Sequence, residues 1–304
     1  MADFPRSLPS DPIYGLATTP AGSRWFAAYS SGLYTSTNRG RSWHYAYQRL
    51  IGDQALPTAC VAPSPAYEQD GIVLAGVSGA ILRSTNGGED WQAFKFQAPF
   101  PLVTALAFSP DFAHDATAFA ITAEDGVYCS YDGGDTWTAW NFGLLDANAF
   151  CLAVSPAYAR DRTLYVGTSS GLFRSANGGR GWQAVSLPVG YRSVLSLAVD
   201  GEILWIGTET SGLLRAVDGG RAWLPTYPSR AAVNALQTFP SHGLLAAIFD
   251  QTLFRSGDQG ASFSPWPDAN PNQFANAAVA SLCPADHAGQ FLLACDSQVV
   301  AISL

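Results

Sequence analysis

Lysine is almost absent from this 304-residue chain, in which Lys95 is the single lysine among 16 lysine and arginine residues. The formal net charge is -8, and neither acidic nor basic residues cluster in a block. A nucleic-acid-binding surface normally needs a basic stripe that displaces counterions from the phosphates. The charge pattern therefore argues against a nucleic-acid partner.

Long apolar segments are also absent. The chain has no stretch of about eighteen apolar residues, which is the length that a membrane-spanning helix requires. The first ten residues, MADFPRSLPS, lack the apolar run behind a basic segment that marks a secretory signal. These observations predict a soluble, cytoplasmic protein without membrane insertion, unless an export signal has been removed.

Motifs for metals and cofactors are missing. The five cysteines have no CxxC spacing, and each lies in an apolar run, which predicts buried, reduced thiols. The four histidines are scattered, and the GlyGly pairs precede strands rather than helices, unlike phosphate-binding loops. The sequence therefore predicts no metal and no cofactor. The cysteines are Cys60, Cys129, Cys151, Cys283 and Cys295.

One octapeptide, by contrast, is present six times. We call each copy a box and number the boxes in chain order: STNRGRSW (36–43), STNGGEDW (84–91), SYDGGDTW (130–137), SANGGRGW (175–182), AVDGGRAW (216–223) and SGDQGASF (256–263). Successive boxes begin 48, 46, 45, 41 and 40 residues apart. A period of roughly 40 to 50 residues is typical of β-propeller blades.

The sequence around each box predicts strands. Three short runs rich in β-branched and aromatic residues precede the box and a fourth follows it, for example VTALAFSP (103–110), TAFAIT (117–122), GVYCS (126–130) and TWTAWNF (136–142). Such runs, bounded by Gly, Pro, Asp and Ser, indicate a four-stranded antiparallel meander. No segment has helical periodicity over a useful length.

The first strand of each repeat alternates large and small residues, which makes one face bulky and the other flat. Sheets of this kind pack against copies of themselves, as propeller blades do. The large positions are Leu16, Val61, Leu106, Leu152, Leu197, Leu236 and Leu282. Their small neighbours are Gly15, Cys60, Ala105, Cys151, Ser196, Ala235 and Ser281.

Seven first strands accompany six boxes, so the sequence predicts an all-β, seven-bladed β-propeller of four-stranded antiparallel blades. We expect it to occupy residues 1–304 as a single domain. The last repeat (279–304) contains three strands. Residues 4–17, FPRSLPSDPIYGLA, align with residues 184–198, which follow a box. We therefore expect the N-terminal segment to add the outer strand to the last blade and close the ring.

The box itself predicts a tight turn between the third and fourth strands. Its Asp or Asn can accept backbone N–H groups, its glycine can adopt a positive φ, and its aromatic residue can be buried between sheets. Catalytic machinery is rarely repeated six times, so we expect a structural role. The Asp or Asn positions are Asn38, Asn86, Asp132, Asn177, Asp218 and Asp258, and the tryptophans are Trp43, Trp91, Trp137, Trp182 and Trp223.

These boxes resemble the Asp-box, or bacterial neuraminidase repeat, over nearly the whole chain. A second element, S-P-x-[YF]-x-x-D, is similar to loops of bacterial Asp-box propellers and occurs at 64–70, 109–115 and 155–161. Families with such propellers include sialidases, xyloglucan-degrading glycosidases, sortilin receptors and photosystem II stability and assembly factors. The chain resembles the last two most closely in layout. The resemblance implies the fold far better than the activity.

The sequence does not predict the sialidase or xyloglucan-degrading activity found in these families. Sialidases have an N-terminal Arg-Ile-Pro motif, whereas residues 4–7 are FPRS here. Xyloglucan-degrading enzymes use a cleft between two propellers, and a single ring lacks the second wall. The third-strand arginines are expected near the rim, where they cannot converge on a central substrate. These arginines are Arg83, Arg174, Arg215 and Arg255.

Glycoside hydrolysis stays open as an alternative, because two carboxylates at a suitable separation suffice for it. Carboxylates expected on the face opposite the boxes are Asp53, Glu124, Asp125, Asp146, Glu209 and Asp250. The sequence favours their interpretation as solvated loop charges.

Protein binding is the predicted function. The resemblance to the stability and assembly factors implies a single ring that holds protein partners and carries an arginine patch. Uneven loops on the face opposite the boxes, at 48–57, 141–148 and 267–276, offer apolar residues that a turn does not require. We therefore predict a non-catalytic protein-binding or assembly scaffold; the alternative is a glycan-binding module or a glycoside hydrolase. The candidate partner-binding residues are Arg49, Asp53, Tyr191, Arg192, Arg230 and Phe274.

Overall fold

The computed structural model describes residues 11–97, 99–226, 230–239, 242–249, 252–266, 279–284, 290–295 and 298–303. In these residues, strands β1–β27 form seven sheets, six with four strands and one with three. Every strand pair whose register is described is antiparallel, and the strands of each sheet lie in chain order. The predicted all-β meanders are confirmed.

The sheets are numbered in chain order. Sheet 1 contains β1 (Ile13–Thr18), β2 (Trp25–Tyr29), β3 (Gly32–Ser36) and β4 (His44–Tyr45); sheet 2 contains β5 (Thr58–Pro63), β6 (Val73–Val77), β7 (Ala80–Ser84) and β8 (Gln92–Lys95). Sheet 3 contains β9 (Val103–Phe108), β10 (Ala118–Thr122), β11 (Gly126–Ser130) and β12 (Thr138–Ala139); sheet 4 contains β13 (Ala149–Val154), β14 (Leu164–Thr168), β15 (Leu172–Ser175) and β16 (Gln183–Val185).

The remaining sheets follow the same order. Sheet 5 contains β17 (Val194–Asp200), β18 (Ile203–Thr208), β19 (Leu213–Ala216) and β20 (Leu224–Thr226); sheet 6 contains β21 (Val233–Phe239), β22 (Leu244–Phe249), β23 (Thr252–Ser256) and β24 (Ser264–Pro265). Sheet 7 contains β25 (Val279–Pro284), β26 (Gln290–Cys295) and β27 (Gln298–Ser303). The N-terminal strand expected to complete sheet 7 falls in residues 1–10, which lie outside the described residues.

In the described parts of the chain, four short helices connect the strands: α1 (Gln48–Ile51), α2 (Tyr67–Asp70), α3 (Phe112–Asp115) and α4 (Tyr158–Asp161). At four residues each, they are too short to produce a helical period in the sequence. The last three are the S-P-x-[YF]-x-x-D elements. In α2 the Ser64 hydroxyl donates to the Asp70 carboxylate at 2.6 Å, and the other oxygen of Asp70 accepts the Ile72 N–H at 2.7 Å. The motif thus fixes the turn between the first and second strands.

The chain divides into two compact units. The first comprises Met1–Ala118, Ser130–Trp137 and Ala280–Leu304, and the second comprises Phe119–Cys129 and Thr138–Val279.

In the first unit, one apolar cluster joins sheets 1, 2 and 7. Phe26 of sheet 1, Leu82 of sheet 2 and Leu292 of sheet 7 are all buried in it. The Thr18 hydroxyl at the end of β1 also donates to the Pro284 carbonyl at the end of β25, at 2.6 Å. The first strands of sheets 1 and 7 therefore end side by side.

In the second unit, neighbouring sheets bury their facing side chains in the same way. Tyr165 and Leu172 of sheet 4 pack with Val194 and Ile206 of sheet 5 in one cluster. Trp205 of sheet 5 and Leu245 of sheet 6 belong to the next cluster. Burial of apolar area on this scale is the main stabilising contribution in a protein of this kind.

The small positions of the first strands lie at β-bulges, which occur between Thr58 and Cys60 and between Ala149 and Cys151, among others. There the side chain reaches the first strand of the following sheet. The Cys60 thiol donates to the Val103 carbonyl at 3.6 Å, and the Ser196 hydroxyl donates to the Val233 carbonyl at 2.7 Å. The flat face predicted from the sequence is thus a close contact between consecutive first strands.

Four of the five thiols, at Cys60, Cys129, Cys151 and Cys283, are free; the Cys295 side chain lies outside the described residues. Burial raises the pKa of the Cys60, Cys129 and Cys283 thiols to about 12, so they stay protonated at neutral pH. We expect a thiol reagent to label the native protein slowly and to titrate five thiols after denaturation. A count of three after denaturation would instead show a disulfide and an oxidising compartment.

Candidate functional site

Each four-stranded sheet has two distinct ends. At one end of sheets 2–5, a box glycine N–H donates to the carbonyl of the connection between the first and second strands, as in Gly87 to Gly71 at 2.9 Å and Gly219 to Glu202 at 3.0 Å. We call this the box end. The other end, which we call the loop end, holds the turns between the second and third strands and the connections to the next sheet. Each sheet therefore presents a regular box end and a variable loop end.

The boxes form the turns that the sequence predicts. In box 3, the Ser130 hydroxyl accepts the Gly134 N–H at 2.8 Å, and the Asp132 carboxylate accepts the N–H groups of Asp135 and Thr136 at 3.0 Å. Gly134 has a φ of 88°, and the Trp137 indole N–H donates to its carbonyl at 3.1 Å. Burial would raise the Asp132 pKa, but the bonds from Thr136, Ser130 and Asp135 outweigh it and lower the pKa. The carboxylate is therefore fully used within its own turn.

We expect Asp132→Ala to lower the free energy of unfolding by about 1–2 kcal/mol, because it leaves turn N–H groups without an acceptor. Asp132→Asn is the matched control, since Asn86 of box 2 accepts the corresponding Asp90 N–H at 2.9 Å. The asparagine variant should stay within about 0.5 kcal/mol of the parent. Denaturant unfolding measures both. Equal losses in the two variants would mean that the carboxylate charge, rather than the turn acceptor, matters at this position.

The loop end of the second unit brings Arg192 and Arg230 to either side of one turn. This turn joins β18 to β19, and the Glu209 N–H in it donates to the Ser193 carbonyl at 3.1 Å. On its other side, the Gly212 N–H donates to the Ala231 carbonyl at 3.1 Å. Both arginine side chains are exposed. The structure therefore places two of the candidate binding residues beside a single turn.

Tyr191 has a different environment from Arg192. It is half-buried and packs against the apolar cluster between sheets 4 and 5. The Ser211 hydroxyl donates to the Gly190 carbonyl at 2.8 Å, which ties the same loop to the β18–β19 turn. Tyr191 therefore anchors the loop that presents Arg192.

Exposed apolar side chains border the adjoining turn of sheet 4. The Ser193 N–H donates to the Ser169 carbonyl at 3.1 Å, and the Ser169 hydroxyl donates to the Asp146 carboxylate at 2.7 Å. Leu145, next to Asp146, is 84% exposed, and Val189 is fully exposed. Leu145 lies in 141–148, one of the uneven loops expected to carry binding residues, whereas Val189 lies in a short loop that no sequence pattern distinguished.

The Asp146 carboxylate stabilises this turn through hydrogen bonds. It accepts the Ser170 N–H at 2.7 Å and the Asn148 N–H at 3.0 Å. Burial would raise the pKa of Asp146, but these bonds and the bond from Ser169 prevail and lower it to about 2. A carboxyl that stays ionised at neutral pH cannot be the general acid of a glycosidase, which needs a raised pKa.

Other candidate residues lie elsewhere. The Arg49 guanidinium approaches the carboxylates of Glu89 at 3.4 Å and Asp90 at 3.3 Å, both in box 2. Arg49 was expected on the face opposite the boxes, and this placement is wrong, because α1 carries its side chain back to the neighbouring box. Asp53 is exposed in the loop that follows α1. Phe274 and Asp250 fall outside the described residues.

The remaining carboxylates also differ in their surroundings. Asp125 accepts a hydrogen bond from the Tyr128 hydroxyl, which belongs to the same hairpin. Glu209 is exposed beside Arg192 and Arg230 in the turn described above. In the described part of the chain, no three His, Cys, Asp or Glu side chains are grouped so that they could hold a metal ion. Among the same residues, no helix has both the length and the apolar character to cross a membrane.

No protein-family model matches this chain, and no curated protein matches it. Solved structures, however, do match this chain. An extracellular domain from B. thetaiotaomicron superposes with a TM-score of 0.74 at 17% identity, over 96% of this chain and 38% of that one. The GH74 xyloglucanase from Xanthomonas campestris gives 0.75 at 18% identity, over 98% of this chain and 52% of the enzyme. The chain thus spans about two fifths and about half of these two proteins.

A third similar structure is of comparable length to this chain. It is YCF48 bound to D1 peptide, with a TM-score of 0.73 at 14% identity, over 98% of this chain and 95% of that one. Identities this low show the fold alone. The similar structures thus comprise both an enzyme and a protein bound to a peptide, so they do not decide the activity. They show that the fold is an all-β, seven-bladed β-propeller, as predicted.

Proposed function

We propose that this protein is a non-catalytic binding or assembly scaffold that takes a protein partner at the loop end of its second unit. The observation that carries the proposal is the placement of Arg192 and Arg230 on either side of the β18–β19 turn. Arginine is enriched among the residues that dominate the energetics of protein interfaces. The exposed Leu145 and Val189 at the adjoining turn supply apolar area next to these charges.

Two further observations support binding rather than catalysis. The carboxylates with clearly displaced pKa values, in the parts of the chain that the structure describes, are all displaced downward: Asp11, Asp132, Asp146, Asp218 and Asp258. In addition, the similar YCF48 structure contains a bound D1 peptide. We also propose that the protein is cytoplasmic and that residues 1–304 form a single domain.

The double variant Arg192→Glu with Arg230→Glu tests the proposal. We expect it to lose a protein partner that the parent captures from the native host, since two attractive charges become repulsive, while the melting temperature changes little. The matched control is Arg39→Glu with Arg41→Glu, which changes the charge equally at exposed positions of box 1. Affinity capture with mass spectrometry identifies the partner. Normal capture by the loop-end variant together with loss in the box 1 variant would place the interface at the box end.

A glycan-binding module or glycoside hydrolase is the second candidate, because the xyloglucanase superposes over 98% of this chain. If this candidate holds, xyloglucan should retard the protein in affinity electrophoresis or release reducing ends when incubated with it. Neither effect is expected under the proposed scaffold function.

A further inference from the structure

Two adjoining clefts follow the outer edge of sheet 4 in the second unit, away from the loop end. The first, of about 370 Å³, lies between β16 and box 5 and is lined by Arg174, Gln183, Ala184 and Arg221, among others. The second, of about 300 Å³, is lined by Arg174, Arg180, Gln183 and Phe142, among others. Because Arg174 and Gln183 border both, the clefts form one strip across the edge of the sheet.

The three arginines of this strip, Arg174, Arg180 and Arg221, form no ion pair with any residue that the structure describes. The Arg174 guanidinium donates to the Thr163 hydroxyl at 3.4 Å, and that of Arg180 lies over the Trp140 ring at 5.3 Å. The strip also contains one acidic residue, Asp218. Its carboxylate accepts the N–H groups of Arg221 at 2.9 Å and Ala222 at 3.0 Å, so it serves its own turn. The strip therefore has an excess of positive charge.

Backbone groups border the strip as well as charges. β16 is the last strand of sheet 4, and in the described parts of the chain no further strand pairs with its outer edge. Gln183 and Ala184 of this strand are exposed. An exposed strand edge offers unpaired N–H and C=O groups to an added strand. Next to this edge, Phe142 is 84% exposed and offers an apolar contact.

We propose that this strip binds an extended acidic peptide segment of a partner protein, which adds as a strand to β16. Carboxylates of the peptide would pair with Arg174, Arg180 and Arg221, whose planar guanidinium groups match carboxylates in two-point contacts. A sulfated or carboxylated polysaccharide would satisfy the same charges. It has no peptide backbone to pair with β16, so the strand edge favours a peptide. This second site is independent of the proposed partner surface at the loop end.

Fluorescence anisotropy with short labelled peptides tests the proposal. A peptide that alternates glutamate with valine should bind, and added salt should weaken its binding. The same peptide with glutamine in place of glutamate should bind at least about tenfold more weakly, as should an N-methylated acidic peptide that cannot pair along its backbone. Arg174→Glu with Arg221→Glu should reduce binding of the acidic peptide by about tenfold or more, whereas the box 1 control, Arg39→Glu with Arg41→Glu, should not.

Three results would overturn the proposal. If the N-methylated peptide bound as tightly as the unmodified peptide, strand addition would be excluded. If the protein bound heparin but not the acidic peptide, the strip would be assigned to a polysaccharide. Loss of peptide binding in Arg192→Glu with Arg230→Glu, but not in Arg174→Glu with Arg221→Glu, would move the peptide to the loop end. Circular dichroism and the melting temperature of each variant confirm that it is folded.

Discussion

Gly76→Ala is expected to lower the free energy of unfolding by about 3 kcal/mol, the upper range for forcing an extra methyl group into a packed interior. A Cβ atom at Gly76 would lie 2.5 Å from the Cys60 sulfur and 2.7 Å from Cγ1 of Val103. Val103 is fully buried in the first strand of the following sheet, and buried side chains in a close-packed interior have little room to shift. Denaturant unfolding with a two-state fit would measure the loss.

A second change in the same protein tests the cause. Cys60→Ala removes the sulfur atom from the clash, so in the Gly76→Ala background it should restore part of the stability, with Val103 accounting for the remainder. Gly257→Ala is the neutral control, because a Cβ there would meet nothing within 4 Å. If Gly76→Ala costs no more than Gly257→Ala, the close approach of consecutive first strands is not a constraint on this sequence.

The pairing of a first-strand residue with a small residue on the second strand recurs in other sheets. Gly167 pairs across the sheet with Cys151, and Gly207 pairs with Ser196, so each side chain with a sulfur or hydroxyl group faces a glycine. In sheet 6 the first-strand residue is Ala235, and its partner is the larger Ile248. In these sheets, glycine therefore faces the side chain with a sulfur or hydroxyl group, and a larger residue faces alanine.

Sequence patterns predicted those parts of the fold whose interactions are local. A box makes its key hydrogen bonds within eight residues, as when Gly134 donates to Ser130 and Thr136 donates to Asp132. Such a turn can be predicted from its own residues, and its six copies predict six four-stranded sheets. The alternation of large and small residues predicted the flat face of each first strand for the same reason.

Contacts between distant residues could not be predicted in this way. Arg49 was placed with the loop-end arginines from its position in the chain, but the carboxylates that bind it are 40 and 41 residues further on, at Glu89 and Asp90. The pairing of Cys60 with Gly76 also depends on a bulge that has no sequence signature here. At the candidate sites, too, the sequence does not show which distant residues come together, as Arg174 illustrates. The sequence placed it near the rim, but only the structure brings it together with Arg180 and Arg221 around β16.

Removing residues 1–9 is expected to lower the melting temperature by about 5 °C or to cause aggregation, because it would expose the edge of sheet 7. In the described residues this sheet has three strands, with β27 outermost, whereas the other six sheets have four. The chain enters β1 at the loop end, where the Asp11 carboxylate accepts the Ser31 N–H at 2.7 Å. β27 runs toward the box end, so a fourth strand paired antiparallel with it would run back to the loop end and continue into Asp11.

The position of sheet 1 favours the same connection. β1 contacts β26, and the Thr18 hydroxyl bonds to the Pro284 carbonyl, so β1 lies beside sheet 7. Removal of residues 1–3 alone is the control, because the segment that aligns with a fourth strand begins at Phe4. The shorter deletion should melt like the parent, whereas replacement of residues 1–9 by a glycine-serine segment of equal length should resemble the full deletion. If the full deletion also melts like the parent and stays monomeric, the N-terminal segment does not complete sheet 7.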